Sequence, residues 1–212
     1  MLGKGDVLKV YFVLMGSAAS GNSNFNVSEF DGLEGTMVLG SDDNTSTNRY
    51  WGSIYQHGEI YKHDEFTVSF RMEMSKPSAD RNFVAEIQVS CMPAQDVYRG
   101  RKVYLRFEKN ATTLKRQFSE QLTVAYNAGW SKTNTPITVS STDVLTITVD
   151  VVIKVTSEGY TITITNVNDA SQVYTETYVH TDTKYEWKNV GVSIASVQIG
   201  KVVISNLQTE EN

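Results

Sequence analysis

The sequence predicts an all-β fold, a two-sheet antiparallel β-sandwich. Three observations carry that expectation. The first is the stretch from residue 143 to 165, DVLTITVDVVIKVTSEGYTITIT. Leu145, Ile147, Val149, Val151, Ile153 and Val155 fall on every second position, with Thr146, Thr148, Asp150, Val152 and Lys154 between them. That is the period of a strand with one buried and one wet face. Ser157-Glu158-Gly159 supplies turn chemistry, and Tyr160, Ile162 and Ile164 then alternate against Thr161, Thr163 and Thr165, which makes a β-hairpin. The second is FTVSFRMEM, where Phe66, Val68, Phe70, Met72 and Met74 share one face and Thr67, Ser69, Arg71 and Glu73 the other. The third is punctuation: turn signals separate about twelve such runs, and all three prolines fall in expected loops. One wet face per strand argues for antiparallel sheets rather than a parallel sheet covered by helices.

In chain order, Leu8 to Leu14 (LKVYFVL) reads as a first strand. A signal peptide is the competing reading, with Met15 to Ser20 as its tail, but Asp6 beside the apolar run and Lys9 within it argue against that. Gly16 to Asn26 is a polar loop, Thr36 to Leu39 a short apolar run, Ser41 to Asn48 another loop, and Arg49 to Gln56 an aromatic-rich segment. Beyond the Phe66 strand, Phe83 to Val89 alternates with Phe83, Ala85, Ile87 and Val89 inward, and Arg101 to Glu108 alternates through Val103, Leu105 and Phe107. Thr112 to Glu120 (TTLKRQFSE) is expected as a short helix, Leu122 to Tyr126 as a strand and Asn127 to Trp130 as a turn. Val173 to Val179, Asn189 to Ser196 and Gly200 to Leu207 complete the strands. The expected organisation is residues 1–60 as N-terminal strands and loops, part of or packed on the sandwich, and residues 61–212 as the sandwich domain.

Composition narrows the function classes. The chain has 212 residues, enough for one large all-β domain, and its apolar fraction of 40% is completed by Thr, Ser, Asn and Tyr. Net charge is -5 and no basic cluster stands out along the chain, which argues against a nucleic-acid partner. The single cysteine, Cys91, excludes an internal disulfide framework and a cysteine-rich zinc site, and reads as a small buried hydrophobe. No apolar run approaches the ~18 residues of a membrane span.

From Val103 to Leu207 the order of elements resembles a galectin: VYLRFEKN, a loop reaching Tyr126-Asn127 and Gly129-Trp130, then LTITVDVVIKV, YTITIT, VYTETYVH and a closing VGVSIASVQIGKVVISNL. More broadly, residues 60–207 resemble the concanavalin A-like jelly roll of legume lectins, laminin G-like modules and galectins. The resemblance implies a sandwich that holds ligand on one sheet or at its rim. Arg106, Asn127 and Trp130 stand where the galectin sugar site has its Arg, Asn and Trp. The family's His-Asn-Pro-Arg strand is Arg106-Phe107-Glu108-Lys109-Asn110 here, and its Trp-Gly-X-Glu-X-Arg turn is Trp130-Ser131-Lys132-Thr133. The fold therefore carries over, and the galactose mechanism does not.

Other constellations are weaker. Glu29, Asp31 and Glu34 fit the Glu-X-Asp-X-X-Glu signature of laminarinase-like glycoside hydrolases, a retaining pair needing carboxyls ~5 Å apart. Gly32 sits inside the motif and no Trp clamp follows it, so the expectation is an acidic turn. Asp42, Asp43 and Asn44, or Asn166, Asn168 and Asp169, offer two or three oxygens each, short of the 6–8 that calcium takes. His57, His63 and His180 have no metal spacing, and no cofactor or metal is expected. Tyr50, Trp51, Tyr55, Tyr61, Trp130, Tyr174, Tyr178 and Trp187 cannot all be core, and wet aromatics stack on sugars or anchor interfaces. Asn26, Asn44 and Asn110 open Asn-X-Ser/Thr acceptors that matter only in a secreted eukaryotic chain.

The sequence expectation is a non-enzymatic recognition module for carbohydrate or a glycosylated surface, with Arg106, Asn127 and Trp130 as ligand contacts. The alternative is a structural or decoration protein of a virion or phage particle, oligomerising through the N-terminal strand, and a third is a glycoside hydrolase. An extracellular or virion setting fits either of the first two better than a membrane.

Overall fold

The computed structural model describes residues 10–13, 37–40, 49–56, 65–76, 83–94, 97–107, 113–122, 130–131, 137–138, 146–181, 186–188, 190–197 and 200–211. Alternation in the sequence becomes fourteen strands among these residues: β1 (Val10–Val13), β2 (Met37–Gly40), β3 (Arg49–Gln56), β4 (Phe66–Ser75), β5 (Phe83–Ala94), β6 (Val97–Phe107), β7 (Thr113–Leu122), β8 (Trp130–Ser131), β9 (Ile137–Thr138), β10 (Thr146–Thr156), β11 (Gly159–Asn166), β12 (Asp169–Val179), β13 (Val190–Val197) and β14 (Lys201–Glu211). They form two antiparallel sheets. One runs β1-β3-β13-β5-β6-β7-β8 with β9 also on β7, and the other β12-β11-β10-β4-β14-β2.

The two clearest strands of the sequence pair with each other. β10 lies against β4 in a register that sets Ile147 opposite Met74, Val149 opposite Met72, Val151 opposite Phe70 and Ile153 opposite Val68. All eight side chains are buried. Opposed residues share a face, so these matched phases build one continuous apolar surface. The facing surface comes from Phe83, Ala85, Ile87 and Val89 of β5, Leu105 of β6 and Val192 and Ile194 of β13, all in the same core. The wet face of the β4–β10 pair matches charges instead: Arg71 opposes Asp150, with Nε and Nη2 donating to the two carboxylate oxygens at 2.8 and 3.0 Å. That pairing raises the Arg71 pKa, first through the hydrogen bond to Asp150 and then through its charge.

Two backbone devices hold the strands in phase. In β14 the register on β4 shifts between Ser205 and Gln208, and Asn206 takes φ 52°. Asn tolerates the left-handed region better than most residues. The shift moves the buried set from Val202 and Ile204 to Leu207. Gly200, just before β14, has φ 153°, and a Cβ there would collide with the Phe83 ring.

Two expectations are overturned, since Pro93, expected in a loop, lies in β5, and the expected helix is a strand. Residues Thr113–Leu122 form β7, not a helix, paired along its length with β6 and also with β8 and β9. Of Leu122 to Tyr126, expected as a strand, only Leu122 is described, and it closes β7; Cys91 lies in β5 with its side chain outside the described set.

Truncating Ile147, 2% exposed and opposite Met74, to Ala should cost about 2–5 kcal/mol in urea unfolding. An unchanged midpoint would show that this phase of β10 is not the one that faces the core.

Candidate functional site

The face of the larger sheet that points away from the core can be assembled from register alone. Buried Phe83, Ala85, Ile87 and Val89 mark the core parity of β5, so Val84, Glu86 and Gln88 carry the other. Pairing propagates that parity across the sheet. One row reads Trp51 on β3, Ala195 on β13, Glu86 on β5, Tyr104 on β6 and Gln117 on β7. The next reads Ser53, Ser193, Gln88, Lys102, Ser119 and Trp130. A third reads Arg49, Val197, Val84, Arg106 and Lys115. Aromatic, amide, hydroxyl and cationic residues interleave on this face. Glu86 is fully buried, although its parity is that of the polar face.

Of the residues expected to bind ligand, Arg106 is on β6 and Trp130 on β8, and register gives both the polar-face parity. They are not row mates. Two strand spacings, about 10 Å, and four residues along β7, about 13 Å, separate their rows. Asn127 lies outside the described residues, as do Glu29, Asp31, Glu34, Asp42, Asp43, Asn44, His57 and His63. Sequence reading missed Glu86, Lys102, Tyr104, Lys115 and Gln117. For Glu86, Lys102 and Tyr104 the signal was there as the off-core parity of β5 and β6, whereas Lys115 and Gln117 lay in the stretch expected as a helix, and the face emerged only once the pairing was known.

A second cluster lies on the smaller sheet. The Trp187 indole is 5% exposed and donates through Nε1 to the Gly159 carbonyl at 3.2 Å. Its ring centroid lies 6.3 Å from Tyr160, 5.5 Å from Tyr178 and 5.2 Å from His180. Tyr178 Oη is 3.2 Å from His180 Nδ1. Trp187 is therefore a core residue, one of the eight aromatics that the sequence left unassigned between core and wet positions. Tyr174 and Tyr178 remain half-buried, with Tyr174 Oη donating to Glu176 at 2.7 Å. Gly159 suits its place: φ is 154°, and a Cβ would meet the Tyr178 carbonyl.

The other cluster weighed for calcium is an Asx-type turn between β11 and β12. Asn166 Oδ1 accepts from the Asn168 N–H at 3.0 Å. Asp169 Oδ1 accepts from the Ser171 N–H and hydroxyl at 3.1 and 2.6 Å, and Oδ2 from the Gln172 amide at 2.8 Å. These bonds are local closures of the hairpin, two from backbone N–H groups and two between side chains. Among the described residues, no group of three or more His, Cys, Asp and Glu could hold a metal ion.

No protein-family model matches the chain, and no curated protein does. Solved structures do match. The CBM2 module of the Lactobacillus casei BL23 phage J-1 evolved Dit is similar over 96% of this chain and 90% of its own, with TM-score 0.52 and 12% identity. A Lotus tetragonolobus seed lectin is similar over 97% and 94%, with TM-score 0.51 and 11% identity. The fold is the concanavalin A-like jelly roll. An alginate lyase from Klebsiella pneumoniae shares it, over 89% and 84%, with TM-score 0.50 and 10% identity. Against scytalido-glutamic peptidase the chain spans 60% of that protein's length at TM-score 0.41, a likeness that carries no argument. No helix among the described residues is long and apolar enough to cross a membrane.

Replacing Trp187 by Ala removes a buried indole and its hydrogen bond, and should cost about 3–5 kcal/mol in urea unfolding. Asp169 is held below the usual carboxylate range, chiefly by the Ser171 hydroxyl, then the Ser171 N–H and the Gln172 amide. A folded pKa below the unfolded one stabilises above the unfolded value, about 3.9, and loses that contribution as pH falls through the folded value. An NMR titration should find Asp169 low, and Ser171→Ala should raise it. A midpoint unmoved by the substitution would discount the hydroxyl's role.

Proposed function

We propose that this chain is a non-enzymatic recognition module that binds carbohydrate, or a glycosylated surface, on the polar face of its larger sheet. One observation carries the reading. Register gives Trp51, Tyr104 and Trp130 one face with Glu86, Gln88, Gln117 and Arg106. Flat aromatic faces interleaved with forked donors and amides are what a sugar ring needs, one group for its apolar face and the other for its hydroxyls. The likeness to a lectin and to a phage CBM2 module supports this reading at the level of fold. Arg106, Asn127 and Trp130 are the contacts we assign.

The particle-assembly alternative would use β1, which pairs with β3 of its own chain and ends the larger sheet.

The reading is tested by glycan-array screening of wild type and Trp130→Ala. A glycan bound by wild type should be retained at least tenfold more weakly by the folded variant, about 1.4 kcal/mol. Unchanged affinity in the variant would remove Trp130 from the site. Turnover of the bound polysaccharide, seen as new reducing ends or unsaturated products, would overturn the non-enzymatic assignment.

A further inference from the structure

The polar face carries an unusual charge balance. Residues 99–116 hold Arg99, Arg101, Lys102, Arg106, Lys109, Lys115 and Arg116, and the pairing of β6 with β7 along their length sets the cations of the two strands side by side. The two strands hold Arg99, Arg101, Lys102, Arg106, Lys115 and Arg116 against a single carboxylate, Glu120, in a chain with 24 Asp and Glu and 19 Lys and Arg. Register sets Glu120 opposite Arg101, on the core parity. Lys102, Arg106 and Lys115 all carry the polar-face parity, and Arg49 joins the row of Arg106 and Lys115. The acid on that face is Glu86, whose diagonal neighbours on β6 are Lys102 and Arg106. Among the described residues, register thus gives this face one carboxylate and four cations.

The row of Arg106 is the most telling. Arg106 and Lys115 are directly opposed across an antiparallel pair. Like charges at that position destabilise strand pairing, whereas an opposite charge in place of either would favour it. The smaller sheet shows the favourable choice, with Arg71 opposite Asp150. A local rule broken in one place and kept in another, within one fold, marks a position held for something other than folding.

We infer that the polar face takes a polyanionic carbohydrate, a chain bearing carboxylate or sulfate groups, across β6 and β7. The inference rests on the carbohydrate reading above and names its substrate class. The bound anions neutralise Lys102, Arg106 and Lys115, Arg106 supplies a fork suited to a carboxylate or sulfate, and register places Trp130 and Tyr104 on the same face of the sheet. A chain of net charge -5 would otherwise repel such a ligand, so the cations must be concentrated where it docks.

The experiment is calorimetric titration of the full chain with polygalacturonate, dextran sulfate, neutral dextran and a single-stranded DNA oligonucleotide, at two salt concentrations. Polygalacturonate or dextran sulfate should bind, which of the two identifying the anionic group. Affinity should fall about tenfold for a fourfold rise in salt, as release of a few counterions requires. Lys115→Gln and Arg106→Gln should each weaken binding about tenfold while thermal stability holds or rises, because a like-charge pair has been removed. Loss of folding in one variant leaves the other to decide. Neutral dextran bound as well as polygalacturonate, with both variants unaffected, would overturn the polyanion inference and leave the carbohydrate reading standing. Binding of DNA with no glycan bound, or no binding at all, would overturn both.

Discussion

The phase of alternation in β10 and β4 is the constraint on which the rest of the structure depends. Side chains repeat every two residues along a strand, so a slip of one position would carry Ile147, Val149, Val151, Ile153 and Val155 into water together. No turn or salt bridge could offset that loss. Burial of a single Ile or Val side chain is worth about 1.5–3 kcal/mol. The pair of Arg71 and Asp150 is exposed, with side chains 40% and 46% accessible, where water and salt screen most of its attraction. The apolar phase therefore sets the register, and the charge pair is matched to a register already chosen. The same priority explains β14, where the chain accepts a left-handed Asn206 and a bulge so that Leu207 enters the core after Ile204.

What the sequence made legible follows from this priority. Strands whose burial is decided by their own alternation were readable: β4, β10 and β11 each carry their phase in plain residues. β7 was not. Its apolar residues, Leu114, Phe118 and Leu122, are spaced four apart, which suits a helix face, and Lys115, Arg116, Gln117, Glu120 and Gln121 are good helix formers. Tertiary pairing overrides that preference, because β6 offers a full ladder on one side and β8 and β9 on the other. Trp187 was left unassigned for the opposite reason. It stands outside any alternating run, and only the approach of Gly159, Tyr160 and Tyr178 makes its position interior. The candidate site was legible by half. Arg106 and Trp130 could be picked from a resemblance, but their common parity passes through Lys115 and Ser119, and that path exists only in the register of three strands.

The two wet faces of the sandwich obey different rules, and the difference is physical. On the smaller sheet polar groups answer one another. Thr161 and Thr177 share a hydrogen bond at 2.9 Å, Thr163 and Thr175 at 3.2 Å, and Arg71 meets Asp150. Each is a cross-strand pair of the kind that stabilises a sheet, and such a face needs only water beyond it. On the larger sheet Arg106 opposes Lys115, Gln88 opposes Lys102, and Glu86 is buried opposite Tyr104. Arg106 and Lys115 are like charges in direct opposition, which works against the ladder, while the strands there are held from the other side, by Phe83, Ala85, Ile87 and Leu105 in the core. A sheet secured through one face is at liberty to carry an unfavourable pattern on the other. That freedom is what lets a jelly roll present a charged, aromatic surface while keeping its register.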